Sequence, residues 1–209
     1  MAQGPPYPTD AEYHREQLHS HSCVPACVCI ILSRLGRPTG EEALLEGLIS
    51  SGLKEPDRWS DVLDAGTALD WETIPMDPDE PSSLLYLRAR LAEPRWIVSS
   101  MSSRHLMALT VAIDPAPKSR FGPLATKPYN EFHAVVMTRA DRSHLYYLDP
   151  YYPRDYQPFK ITDDDFVGAW QGRIAISAPC LDERPAAARA CPWHHRRATK
   201  SGAMTIHRS

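Results

Sequence analysis

A chain of 209 residues, 43% of them hydrophobic, is long enough to bury a proper core, and one domain is the expectation. A net charge of -3 gives no electrostatic case for nucleic acid as a partner. No apolar run approaches membrane-spanning length, and the polar, proline-bearing first twenty residues hold no signal-peptide core, so a reducing cytoplasm is the expected compartment.

Residues 1–16 read as a flexible N-terminal arm. An apolar run from Cys23 predicts a first helix over 23–35, stopped by Gly36. Thr39 followed by Glu42 has the spacing of a capping box and predicts a second helix through Ala43–Ile49. Ser60 is placed to cap a short helix over 61–69, and Trp71–Met76 reads as a strand. Leu84, Leu87 and Leu91 lie at helical spacing and predict a helix over 82–91.

From Arg95 the character changes. Trp96–Val98 and 106–113 read as strands, and 114–130, with four prolines, reads as a long loop of the kind that often borders a site. Two strand-like apolar runs follow, the first rich in valine over 132–137 and the second rich in tyrosine and leucine over 143–148, separated by the polar stretch Thr138–Arg142. They predict an antiparallel hairpin. A short helix over 163–171 and a strand over 173–177 complete the ordered part. The tail 182–209, rich in Ala, Arg and His, is expected to be disordered. Helices first and a mainly antiparallel sheet after them give an α+β fold.

Cys23 opens the first helix, where partial positive charge and unpaired N–H groups favour a thiolate, the nucleophile of cysteine hydrolases. Gln17, six residues upstream, carries an amide able to donate to an oxyanion. His133 begins the first strand of the predicted hairpin and Asp149 closes the second. Those positions fall at the same end of an antiparallel ladder, which makes imidazole and carboxylate neighbours. Each residue also has a plainer reading. Cys23 alone would be a small buried hydrophobe, His133 a satisfied core histidine, and Asp149 the start of a turn before Pro150.

Cys27 and Cys29 read as core thiols on the Cys23 helix. Cys180 and Cys191 make the total five, an odd number with no bridging pattern. His19, His21, Cys23 and Cys27 match no familiar zinc spacing, and Cys191, His194 and His195 sit in the tail, so no metal is expected. Tyr146, Tyr147, Tyr151 and Tyr152 divide, by alternation, between a groove and the core.

The pattern resembles the papain-like cysteine peptidases that mature bacteriocins and related peptides by removing double-glycine leaders, a group of transporter-attached domains and stand-alone enzymes. That family places a glutamine six residues before its cysteine and an aspartate sixteen after its histidine, as Gln17, Cys23, His133 and Asp149 do here. Val24-Pro25-Ala26-Cys27, Ala134-Val135-Val136, Pro150 and the segment 166–172 are similar to further family features, over residues 17–178. Val24 stands where the family usually has glycine, and the stretch from Val98 to His133 is longer than its norm.

The resemblance implies a papain-like peptidase domain over 17–181, its N-terminal helical part packed on a mainly antiparallel sheet. It implies a Cys23–His133–Asp149 triad with Gln17 as oxyanion donor, a peptide or protein substrate, and no cofactor. The same constellation is open to glutamine deamidation or acyl transfer, as in an effector, and Val24 keeps open a catalytically silent, peptide-binding domain.

Overall fold

In a computed structural model of the chain, the described residues are 10–50, 71–74, 81–93, 95–102, 105, 118–122 and 132–177. The helix expected over 61–69, the strand over 106–113, most of the loop 114–130 and the tail 182–209 lie outside them.

Helix α1 (Cys23–Arg34) is the central strut. It buries Pro25 through Leu32 without interruption, so it is apolar on every side rather than on one stripe. It ends where the sequence indicates. Gly36 takes φ 71, a left-handed conformation that favours glycine, and the N–H groups of Gly36 and Arg37 return to the carbonyls of Ser33 and Leu32. Helix α2 (Glu41–Ser50) packs beside it. The capping box does not form. The Thr39 hydroxyl donates to the carbonyl of Arg37, Glu42 is exposed, and the helix begins at Glu41.

Among the described residues, six strands form one antiparallel sheet in the order β1-β6-β2-β3-β4-β5: β1 (Glu72–Thr73), β2 (Ile97–Ser102), β3 (Phe132–Ala140), β4 (His144–Leu148), β5 (Phe159–Thr162) and β6 (Trp170–Ser177). The expected hairpin is β3–β4, with its turn moved to 141–143 because Asp141 gathers it. Asp141 Oδ1 accepts from the N–H groups of Ser143 and His144, and Oδ2 accepts from the Tyr146 hydroxyl. β1 is shorter than the strand expected over 71–76, and β5 follows a proline-rich stretch in which no strand was expected.

The α+β reading holds, with one structural addition. Helix α3 (Pro81–Ala92) and helix α4 (Asp163–Ala169) occupy the face of the sheet opposite α1. Leu87, Leu91, Met101, Val135, Met137 and Phe166 share one buried cluster on that side. Cys27, Ile30, Val98, Ala134, Val136 and Leu148 share the other. Alternation along β3 divides its side chains between the two. Arg88 of α3 pairs with Asp163 of α4 at 2.5 Å, holding the two helices of that layer together.

The arm expected to be flexible over 1–16 is seated in its described part. Asp10–Tyr13 forms a 3-10 turn, the Tyr13 ring meets Trp96 edge-on at 5.7 Å, and His14 is buried. The physical reason is a set of anchors to a distant loop: His14 Nε2 lies 2.9 Å from the carbonyl of Asp149, and Arg154 donates to the carbonyl of His14.

Candidate active site

The sulfur of Cys23 stands at the first position of α1, and the residue is partly exposed. Ser22 occupies the N-cap, but its hydroxyl is engaged with His19, accepting from the N–H and donating to the carbonyl, both at 3.0 Å. It therefore makes no capping bond to the helix. With Pro25 contributing no N–H, the Cys23 and Val24 amides are the N–H groups nearest the helix start that its own cap leaves unused. Burial pushes the Cys23 thiol up. The hydrogen bond and charge of His133, with the N–H groups of Ala134 and Val24, outweigh that and bring it below its ordinary value.

His133 lies near the start of β3, buried, with its Nε2 at 2.6 Å from Asp149 Oδ1. That leaves Nδ1 as the ring nitrogen for the Cys23 thiol, with which the imidazole shares a hydrogen bond. Burial disfavours the imidazolium, but the charge and hydrogen bond of Asp149, joined by those of Cys23, raise His133 well above its usual value. The β3–β4 register explains why these two meet. Val136 opposes Leu148, so His133 and Asp149 both lie just beyond the same end of that ladder. Asp149 is fully buried, and its Oδ1 also accepts from the N–H of Tyr151 at 2.8 Å. The Tyr151 ring stands edge-on to the imidazole at 5.8 Å, and Phe121 packs against Tyr151 at 5.5 Å.

Gln17 is fully buried and tied down at both ends. Its backbone N–H donates to the carbonyl of Pro150 at 2.8 Å, and its side-chain Nε2 donates to the carbonyl of His19 at 2.6 Å. The carboxamide nitrogen has two hydrogens, so one remains beyond that bond. The next residue is held as firmly, since the N–H of Leu18 donates to both oxygens of the buried Glu41, at 2.9 and 3.1 Å. Of the four residues singled out in the sequence, Cys23, His133 and Asp149 form one continuous hydrogen-bonded chain. Gln17 is attached to the residue that follows Asp149.

Cys27 and Cys29 are both buried, and burial raises both thiols, Cys29 to about 12. Cys29 Sγ lies 3.3 Å from the carbonyl of Thr39. Val24 is half-buried and packs on the apolar cluster around α1. Tyr147, Tyr151 and Tyr152 are core residues, while Tyr146 lies under the Arg139 guanidinium at 3.6 Å, on the outer side of the hairpin. His19 and His21 stack at 5.7 Å on the surface. Among the described residues, no group of three or more His, Cys, Asp or Glu side chains is placed to hold a metal. No helix among them is long and apolar enough to cross a membrane.

Three residues of the site region carry no sequence signal. His14 lies in what reads as an arm, Glu41 reads as an ordinary first-turn acid, and Gln157 falls in a proline-rich loop. Each becomes visible only because it binds the main chain of Asp149 or of Leu18, contacts that span 135, 23 and 8 residues along the chain.

No family model matches the chain, and no curated protein matches it. Among solved structures, it is similar to a C39-like peptidase from Bacillus anthracis, with a TM-score of 0.55 at 13% identity, covering 79% of this chain and 92% of the other. It is also similar to the peptidase domain of Streptococcus ComA, a bifunctional ABC transporter of a quorum-sensing pathway. There the TM-score is 0.50 at 14% identity, with 79% and 96% covered. The chain thus has the C39-peptidase-like α+β fold, and the resemblance to bacteriocin-processing peptidases read from six short sequence features reappears in the backbone.

Proposed function

We propose that this protein is a cysteine peptidase acting on a peptide or protein, with Cys23 as nucleophile, His133 as general base and acid, Asp149 as orienter and Gln17 as oxyanion donor. The observation that carries the reading is the imidazole of His133 held between the two other groups, Nε2 on Asp149 at 2.6 Å and a hydrogen bond to Cys23 on the far side. A buried imidazole bonded to a carboxylate on one side and a thiol at a helix start on the other favours the thiolate–imidazolium pair.

In the proposed reaction, Cys23 sulfur attacks the scissile carbonyl, and the C=O electron pair moves onto oxygen. The remaining Nε2 hydrogen of Gln17 and the N–H of Cys23 hold that oxyanion. As the C–N bond breaks, His133 gives its proton to the leaving amine. A water then attacks the thioester, His133 taking its proton, and the carboxylate product leaves with Cys23 restored as thiolate beside the imidazolium. Asp149 keeps the ring oriented and offsets its positive charge throughout. No metal or organic group takes part.

The test has two stages. Iodoacetamide near neutral pH should alkylate Cys23 ahead of Cys180 and Cys191, and His133→Ala should abolish that preference. Incubation with a peptide library should then yield shortened products whose formation Cys23→Ala eliminates. Products about one dalton heavier and of unchanged length would instead indicate water attacking a side-chain thioester, and so a deamidase. A Cys23 no more reactive than Cys180 and Cys191 would sink the hydrolase reading in either form.

A further inference from the structure

β4 ends at Leu148 and β5 begins at Phe159, and their last paired residues are Tyr147 and Phe159. Continuing that register places Gln157 opposite Asp149. The main chain of Gln157 does not take up the pairing. Its N–H is already given to the carbonyl of Arg154 at 2.9 Å, in a 3-10 turn, and Pro158 has no N–H to offer.

The side chain of Gln157 supplies the two missing bonds. Oε1 accepts from the N–H of Asp149 at 3.0 Å, and Nε2 donates to the carbonyl of Asp149, also at 3.0 Å. Nε2 further approaches the carbonyls of Tyr152 at 3.3 Å and Pro153 at 3.4 Å, so its reach is fixed from the other side as well. A primary carboxamide has one acceptor and two donors on one rigid plane, the same pattern that a neighbouring strand would present. The carbonyl of Asp149 is met a second time, by Nε2 of His14.

We propose that Gln157 is a positioning residue of the reaction. By clamping both main-chain groups of Asp149, it holds the carboxylate on His133 Nε2 and keeps the other face of the imidazole turned to Cys23. The assignment rests on the peptidase reading above. The ionisable groups around this pair include Cys23 and Cys27 of α1, His14 of the N-terminal segment, Tyr147 of β4, and Tyr151, whose ring stands edge-on to the imidazole. Gln157 itself carries no charge, so any effect it has on their titration passes through geometry.

The test is the pH profile of Cys23 alkylation by iodoacetamide, which needs no substrate. Gln157→Met keeps the length and removes every side-chain hydrogen bond. Gln157→Asn keeps the polar head one methylene short. With Asp149 loosened, His133 protonates less readily and the thiol loses its cation. Alkylation of Gln157→Met at pH 6 should then be about tenfold slower, one unit of thiol pKa being tenfold in thiolate. Gln157→Asn should fall between, and peptide turnover should drop in kcat with KM little changed. In an Asp149→Ala background, Gln157→Met should leave the profile where it is.

A wild-type protein with an activated Cys23 and a folded Gln157→Met with the same profile would overturn the assignment while leaving the peptidase reading intact. Loss of folding in both variants would also overturn it, making Gln157 a residue of the fold alone. An unactivated Cys23 in the wild-type protein would overturn both.

Discussion

His133 Nε2 and Asp149 Oδ1 are 2.6 Å apart in surroundings that leave the histidine almost no exposure and the aspartate none. Both residues sit at the same end of one hairpin, so their separation is set by strand register rather than by packing between layers. A charge pair desolvated to this degree is stable only with both members present, because either alone would be a buried charge without a partner.

Asp149→Asn tests that dependence. The asparagine keeps the shape and removes the negative charge that raises His133. His133 is raised, so its imidazolium persists above the usual histidine range, and Cys23 is lowered, so its thiolate persists below the usual thiol range. The ion pair therefore occupies a pH window with an acid limb set by the lowered thiol and a basic limb set by the raised imidazole. In Asp149→Asn the basic limb should move to lower pH and the acid limb to higher pH, with kcat reduced on the order of 10²-fold or more. A profile of unchanged width would show that the carboxylate does not tune the ring.

Gln17→Ala separates oxyanion stabilisation from nucleophile activation. Turnover of a peptide should fall roughly 10²–10³-fold. Alkylation of Cys23, which builds no oxyanion, should keep the wild-type rate. Equal losses in both measurements would show that the substitution damages the Cys23–His133 pair, and would remove Gln17 from the oxyanion role.

Glu41→Gln weakens the clamp on Leu18. One carboxylate accepts the Leu18 N–H with both oxygens, and a neutral amide would retain a single ordinary acceptor. The expected cost is about 1–2 kcal/mol in urea unfolding, the difference between a charge-assisted and a neutral hydrogen bond at a buried site. Because Leu18 follows Gln17, turnover should fall together with stability. An unaltered denaturation midpoint would show that the contact contributes nothing measurable.

His14 makes stability depend on pH on the acid side. Burial lowers its pKa from the ordinary 6.5, against the opposing pull of the Asp149 carbonyl and charge. Above 6.5 the ring is neutral both folded and unfolded, and nothing is lost. As pH falls through 6.5, the unfolded chain binds a proton that the folded chain resists, so stability declines until the folded-state value is passed. His14→Gln should flatten this part of the stability profile, measured by urea midpoints between about pH 7 and 5. A slope identical to wild type would place the acid sensitivity elsewhere.

The parts of the molecule legible in the sequence are those governed by local periodicity. The run from Cys23 to Leu32 is too apolar for a surface helix and ends on a glycine that takes a left-handed conformation. The valine-rich run after His133 and the tyrosine- and leucine-rich run before Asp149 define a hairpin, and the strand ends bring the imidazole and carboxylate together.

What escaped reading was decided by contacts without a period. Thr39 and Glu42 have capping-box spacing, yet the neighbouring Glu41 is drawn to the N–H of Leu18 and the helix starts there instead. β5 follows a stretch broken by Pro150, Pro153 and Pro158, and its alternation over four residues, Phe159 and Ile161 in and Lys160 and Thr162 out, is too short to stand against those prolines. His14 and Gln157 act on main-chain atoms of Asp149, and main-chain acceptors leave no trace in a sequence.

Because the acid–base pair lies within one hairpin while the sulfur arrives from a helix far upstream, the two halves of the centre differ in what their assembly demands. The hairpin closes a short loop; seating α1 on β3 closes a very long one, with the larger entropic cost. Imidazole and carboxylate are therefore neighbours through local chain closure, and the thiol is their neighbour only through the seating of the helical layer. The Cys23 reactivity that the proposed function requires would in this sense report completed tertiary assembly. Under the proposed function, a chain with its hairpin formed and its helix undocked would hold every reacting group and no thiolate–imidazolium pair.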